Sequence, residues 1–327
     1  MVFFLFFLAA LFTVLAAVKL STYADVLSER TSLGGMIVGT IFLAGATSLP
    51  EVTTSLAAIG LNNPDLAVGN VLGSNLFNLL IIASFDLYFR KKQIFKAASK
   101  SHLYTIYLGM LLTSLVFVAL TLKLPFSLLG VGLDSIVLVI VYATGMYLLT
   151  KRVTSLERGQ DEDGISQTSA ISLKKAITGF IIAALIILVT GTLLSVTGDK
   201  IAVITGLGSS FVGTFLIAAT TSLPEAVAVL IAIQLRNYNL AIGSILGSNI
   251  FNILILIGSD FFYRKSTLIS AVAPVHSVTA LATLMLSAFV LFSLLRFKFT
   301  KFKIVYWVPS ALLVVVYFVS SYLIFIN

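Results

Sequence analysis

The chain has 327 residues, of which 59% are hydrophobic and only 10% charged, with a net charge of +8 and no cysteine. Soluble domains carry roughly 25% charged residues, so a water-soluble enzyme or binding module is excluded, and the absent thiols exclude disulfides, thiolate metal sites and a cysteine nucleophile. Apolar windows of about 20 residues, the length that crosses a bilayer, fall at 2–20, 33–61, 64–89, 102–122, 126–149, 175–197, 205–235, 239–263, 271–295 and 303–326. The first window lacks a small-residue cleavage site ahead of a polar segment and is read as a retained helix rather than a leader peptide. The one long polar stretch, 151–173, carries Glu157, Asp161, Glu162 and Asp163. It reads as a linker too short for a regulatory domain, and it divides the chain into halves at 1–150 and 174–327. The expected fold is an all-α integral membrane protein of ten transmembrane helices, five in each half.

Orientation follows from the basic residues, which concentrate on the cytoplasmic side of membrane proteins. With the N-terminus outside, every Lys and Arg except Lys123, Lys200, Arg264 and Lys265 falls on the inner face. Both termini are therefore expected outside a cell membrane, with the linker in the cytoplasm. The basic surplus sets topology rather than attracting nucleic acid.

An internal repeat sharpens this reading. Residues 39–91 match 213–265 without a gap at a constant offset of 174, which also relates the only two histidines, His102 and His276. The copies share Thr-Ser-Leu-Pro-Glu at 47–51 and 221–225, and Gly-Ser-Asn-x-Phe-Asn at 73–78 and 247–252. Five helices per half send the second copy into the membrane from the opposite side. Inverted repeats of this kind build many secondary transporters, which bind substrate near the midplane between the copies.

Glu51 and Glu225 are the only glutamates inside spans. Each costs at least about 2.5–3.5 kcal/mol to insert, so an uncompensated pair at matching depth points to use. Pro50 cannot donate to the carbonyl of Ala46, nor Pro224 to that of Thr220, so free carbonyls are expected beside each carboxylate. Thr47 and Ser48 share a helical face with Glu51, as Thr221 and Ser222 do with Glu225. In the following helix Gly73 and Gly247 admit a close neighbour, while Ser74 and Asn78, like Ser248 and Asn252, face one way. The set is oxygen-only, which suits Ca²⁺ and equally Na⁺ rather than transition metals.

These paired motifs resemble the cation/Ca²⁺ exchanger superfamily, specifically the prokaryotic sodium/calcium exchanger type with two inverted α-repeats. The resemblance covers essentially the whole chain. It implies that Glu51 and Glu225 bind Ca²⁺ and Na⁺ in turn, with Thr47, Ser48, Ser74, Asn78, Thr221, Ser222, Ser248 and Asn252 completing the ion sites. It further implies that the carbonyls of Ala44 and Ala218 join them, and that the first and sixth helices slide to alternate access. Asn252 departs from the pattern, since several similar members carry Asp there. Two carboxylates balance one Ca²⁺, two Na⁺ or two H⁺, so exchange without net charge movement is expected.

The sequence therefore reads as an antiporter exchanging Na⁺ for Ca²⁺. An H⁺-coupled exchanger of Ca²⁺ or another cation stays open, as does a cation channel. No Ser/His pairing lies inside a span, so no enzyme, catalytic residue or cofactor is expected. The expected partners are inorganic cations and lipid, and nothing in the sequence requires more than a monomer. Outside the motifs, Asp86 and Asp260 are expected at helix ends as ion pairs or interfacial caps, Asp134 at an interface, and Asp65 in a first helical turn. His102 and His276 are placed at helix starts.

Overall fold

The structure, a computed structural model, describes residues 1–30, 44–99, 101–124, 126–128, 130–157, 171–295 and 306–326. Its helices are α1 (Val2–Arg30), α2 (Leu49–Gly60), α3 (Pro64–Tyr88), α4 (His102–Leu122), α5 (Leu133–Glu157), α6 (Leu173–Thr205), α7 (Ser209–Gln234), α8 (Tyr238–Phe262), α9 (Val275–Leu295) and α10 (Val308–Ile326). Among the described residues nine helices are long and apolar enough to cross a membrane. The remaining one, α2, belongs to the segment expected at 33–61, of which residues 33–43 lie outside the described residues. The expected polar linker likewise falls outside them from 158 to 170.

Several boundaries differ from the apolar windows. Helices α1 and α6 run on to Arg30 and Thr205, well beyond residues 20 and 197. They pack along each other, and a backbone already helical in the bilayer continues past the last apolar residue while its groups stay paired. The window at 271–295 is cut by Pro274, leaving a separate turn at Leu268–Ala271. The only strands described are the pair Ser127–Leu128 and Val131–Gly132, a hairpin ahead of α5 closed by Gly130 at φ 82.

The layers follow from composition. Helix α3 is 89% buried over its most apolar stretch and α5 only 11%. The helices rich in Gly, Ser and Asn, α3 and α8, thus occupy the centre, and helices such as α5 turn Leu, Ile and Val to lipid. A polar side chain at membrane depth must face protein, and small residues let it do so at close range.

Local structure recurs at the sequence offset. Helix α2 corresponds to Leu223–Gln234 and α3 to α8, end for end. Ser48 and Ser222 interrupt their helices with φ, ψ of −85°, 8° and −89°, 1°, each just ahead of the motif proline. Asn63 and Asn237 cap the next helix by accepting from Leu66 N and Leu240 N, each at 3.0 Å. The preceding Asn62 and Arg236 both adopt left-handed backbone, at φ 56° and 61°. Helix α7 contains a π turn over Val212–Ile217, a form frequent at functional sites; the equivalent residues 38–43 lie outside the described ones.

The π turn lies directly on α3. A Cβ on Gly73 would stand 2.3 Å from Thr214 O, and one on Gly213 would stand 2.6 Å from Leu66 O. The two backbones touch because neither glycine has a side chain. Gly73→Val is therefore expected to prevent recovery of monodisperse protein in detergent, since overpacking costs about 1–3 kcal/mol even where side chains can adjust. Gly258→Ala, which meets nothing within 4 Å, is expected to hold or raise the thermal midpoint read by fluorescence-detected size exclusion.

Candidate cation site

The two motif prolines start new helical segments, so Glu51 and Glu225 each sit in a first turn. There the unpaired N–H groups and the helix dipole favour negative charge. Both carboxylates are fully buried and interact with each other across the centre of the molecule. Ser222 Oγ lies 3.4 Å from Glu51 Oε1, with Thr221 and Ser74 also against that carboxylate. Thr47 and Ser48 face Glu225 in the same way. The motifs therefore exchange neighbours: each glutamate lies near hydroxyls of the other copy, with a hydrogen bond formed at Glu51 and none at Glu225.

The GSN helices complete the ring. Asn75 and Asn249 donate reciprocally to each other's main-chain carbonyls, both at 3.2 Å. Their side-chain carbonyls accept from the opposite copy, Asn78 Nδ2 reaching Asn249 Oδ1 at 3.0 Å and Asn252 Nδ2 reaching Asn75 Oδ1 at 2.9 Å. With their amide nitrogens taken up in this way, Asn78 and Asn252 each keep a buried Oδ1 without a hydrogen-bond partner. Ser74 and Thr221 stand 3.4 Å apart, and Thr47 and Ser248 3.5 Å, joining the copies hydroxyl to hydroxyl.

The outcome is a cluster of buried oxygens without hydrogen-bond partners: Glu51 Oε2, both oxygens of Glu225, Asn78 Oδ1, Asn252 Oδ1 and Ser48 Oγ. Buried polar atoms are nearly always paired. Five of these six are acceptors with no hydrogen to give, so only a donor or a cation can answer them. Among the described residues no group of three or more His, Asp or Glu is assembled. This is a hard-oxygen site, not an imidazole or thiolate one.

The family model described as sodium/calcium exchanger protein matches residues 1–151 and 175–326. The chain belongs to that family. The exchanger is 28% identical over 258 residues to the inner membrane protein YrbG of Escherichia coli strain K12, covering 76% of this chain and 75% of that one. Its fold is that of two solved structures. One, the H⁺/Ca²⁺ exchanger CAX, aligns with a TM-score of 0.69 at 15% identity over 99% of this chain and 86% of its own. The other, the sodium-calcium exchanger NCX_Mj, aligns with a TM-score of 0.60 at 21% identity over 98% of each chain. The family is one of multi-pass membrane exchangers rather than catalytic enzymes, as the repeat motifs led one to expect.

The structure brings together the side chains singled out from sequence, with one change of detail. The carbonyls of Ala44 and Ala218 are already used: Ala44 O accepts from Ser48 N and Thr47 Oγ1, both at 3.0 Å, and Ala218 O accepts from Ser222 N at 3.0 Å and Thr221 Oγ1 at 3.3 Å. In this arrangement they face their own helices. Asp86 and Asp260 are not interfacial caps but fully buried ties. Asp86 accepts from Tyr306 at 2.6 Å and Ser310 at 2.7 Å, and Asp260 from Gly132 N at 2.8 Å and Leu268 N at 2.6 Å. Burial and the neighbouring Asp86 push the Tyr306 phenol well up, keeping it a donor. Asp65 is in a first turn as expected, but it also holds His276 Nε2 at 3.0 Å and Ala273 N at 2.7 Å. His102 is buried against Asn239 and Gly243. Asp134 accepts from Ser135 N at 3.0 Å.

Sequence reasoning missed Asn70, fully buried beside Glu51, because its equivalent in the second copy is Ser244 and a search for repeated residues passes over it. It gave Asn75 and Asn249 no task beyond their place in the Gly-Ser-Asn runs that admit a close neighbour. Asn249→Leu removes the acceptor of Asn78 Nδ2 and the donor to Asn75 O. Leaving such buried groups unpaired costs about 1–3 kcal/mol each, so a lower thermal midpoint and weaker Ca²⁺ binding by titration are expected together.

Proposed function

We propose that this exchanger is a secondary antiporter that moves Ca²⁺ against Na⁺ through alternating access. The reading takes the chain as ten transmembrane helices in two inverted five-helix repeats, 1–150 and 174–327, with both termini outside and residues 151–173 cytoplasmic. The observation that carries it is the cluster of partnerless buried oxygens around Glu51 and Glu225. Ca²⁺ takes 6–8 oxygen ligands, and the set supplies two carboxylates to balance its charge. Na⁺ uses the same oxygens. Exchange rather than leak follows because two bare carboxylates are costly in a dry path, so the site crosses only when neutralised.

A proton-coupled cycle is the second reading, since the H⁺/Ca²⁺ exchanger CAX shares the fold. Protons on both glutamates would turn the carboxyls into donors for the amide oxygens of Asn78 and Asn252, so the oxygen cluster accommodates either cycle and the flux measurement decides between them. Liposomes loaded with Na⁺ and diluted into Na⁺-free Ca²⁺ buffer are expected to accumulate Ca²⁺. A pH gradient alone is expected to drive none, and the reverse pattern selects the proton. Glu51→Gln is expected to abolish uptake while the protein stays monodisperse; retained uptake overturns the site. Clamped K⁺ diffusion potentials are expected to leave the initial rate unchanged, as two carboxylates balanced by either two Na⁺ or one Ca²⁺ move no net charge.

Alternation bears on one contact between helices. Asn63 Nδ2 reaches Asp199 Oδ1 on α6 at 2.6 Å and Ser209 Oγ on α7 at 2.8 Å. This latch ties the start of α3 to α6 and α7, and a rocking inverted repeat has to release such a tie between its two states. Because the chain has no cysteine, the pair Asn63→Cys and Asp199→Cys is expected to form a disulfide that stops transport until reduced. Full transport by the cross-linked protein would rule the latch out.

A further inference from the structure

Asn70 is used neither in the family motifs nor in the oxygen cluster, yet it touches both copies at the site. Its amide nitrogen lies 2.7 Å from Thr54 Oγ1, 2.8 Å from Ser55 Oγ and 3.3 Å from Glu51 O. Its Oδ1 lies 3.3 Å from Thr221 Oγ1. The direction of each bond can be worked out from the donor inventory. Thr54 gives its single hydrogen to main-chain carbonyls, Pro50 O at 2.8 Å and Glu51 O at 3.2 Å, so towards Asn70 it can only accept. Glu51 O has no hydrogen at all. The NH₂ end of Asn70 must therefore face α2, and its carbonyl must face Thr221. That carbonyl only accepts, so Thr221 turns its hydrogen towards Asn70 and Ala218 O, both at 3.3 Å. Glu51 is also within reach of the Thr221 hydroxyl, so Asn70 and Ala218 O compete with the carboxylate for its one hydrogen and, when they hold it, leave the Thr221 lone pairs towards Glu51 and Ser74.

The second copy has no such relay. Thr54, Ser55 and Asn70 correspond to Ala228, Val229 and Ser244. The hydroxyl that faces Glu225, Thr47, gives its hydrogen to Ala44 O at 3.0 Å within an ordinary helical turn. Thr221 follows the π turn of α7, where its own helix carbonyl stands farther off, and the acceptor on α3 makes up the difference.

We infer that Asn70 is a positioning residue that holds the Thr221 hydroxyl as an acceptor beside Glu51, so that this half of the site presents only lone pairs to a metal cation. The inference rests on the cation-site reading above and acts through Thr221 alone. Without the relay, Thr221 is free to donate to Glu51 Oε1 or Oε2, and it then competes with the ion for the carboxylate.

The test is Ca²⁺ titration of the purified protein, paired with initial-rate Ca²⁺ uptake into liposomes, for the wild type, Asn70→Leu, Thr221→Val and the double variant. Asn70→Leu is expected to raise the Ca²⁺ Kd and KM about tenfold, the factor that a ligand bond of ordinary strength contributes, with maximal rate changed less than about threefold. The double variant is expected to bind no more weakly than Thr221→Val, because coupled residues are non-additive. Unchanged affinity in Asn70→Leu, or effects that multiply in the double variant, overturns the inference, as does a loss of thermal stability with affinity intact. Should Asn70→Leu not be recovered folded, Asn70→Ser, the residue that the second copy carries at Ser244, removes the amide carbonyl with a smaller change of polarity; a weaker Kd that disappears in a Thr221→Val background supports the relay, and an unchanged Kd refutes it. If Glu51→Gln abolishes Ca²⁺ binding and Asn70→Leu does not weaken it, only the role of Asn70 falls. If Glu51→Gln binds Ca²⁺ as the wild type does, the site itself is wrong.

Discussion

Two buried carboxylates that feel each other's charge, with no Lys, Arg or His against them among the described residues, form the constraint around which the molecule is arranged. Such a pair is repulsive and poorly solvated, and the protein answers it with oxygen rather than with cations. Hydroxyls from the opposite copy approach each glutamate, the amide oxygens of Asn78 and Asn252 stay without partners, and the first turns of two half-helices lie beneath the carboxylates. Every one of these choices leaves negative or lone-pair density unanswered. A site built in this way is incomplete until a positive ion enters it.

Holding so many oxygens together requires backbones to come unusually close. Gly73 and Gly213 let α3 and the π turn of α7 meet without side chains between them. Across the centre, Asn75 and Asn249 use their amides on each other's main chain and so set the spacing of α3 and α8. Those same asparagines take up the NH₂ groups of Asn78 and Asn252, which leaves the latter's side-chain carbonyls as the unpaired atoms. Packing and electrostatics are thus one arrangement: the bonds that pin the central helices also decide which atom of each amide stays unpaired. Farther out, Asp86 and Asp260 tie the C-terminal ends of the two central helices to the starts of α10 and α5.

The copies are alike in backbone and unlike in polar detail. The helix breaks, caps and left-handed turn residues repeat closely, whereas the relay through Asn70 and the hydrogen bond between Asp65 and His276 join residues that differ at the offset of 174, where Asn70 becomes Ser244 and Asp65 becomes Asn239. An inverted repeat gives two related end states, and unequal polar contacts allow the two to differ in stability and in affinity.

The amino-acid sequence by itself determined the solvent, the repeat, the two glutamates and their hydroxyl and amide companions. Those conclusions rest on local chemistry: an ionisable group in an apolar window, a proline that frees a helix, a motif recurring at one offset. Only the tertiary structure decided which hydroxyl meets which glutamate, because the motifs trade neighbours across the centre. It alone showed that the carbonyls of Ala44 and Ala218 are taken by their own helices, that Asp86 and Asp260 are buried ties, and that Asn70 bonds both to the turn carrying Glu51 and to Thr221 of the other copy. Hydrogen-bond direction is the physical reason. Whether an amide or hydroxyl offers a hydrogen or a lone pair depends on what its other atoms already hold, and those partners sit up to 224 residues away in the chain.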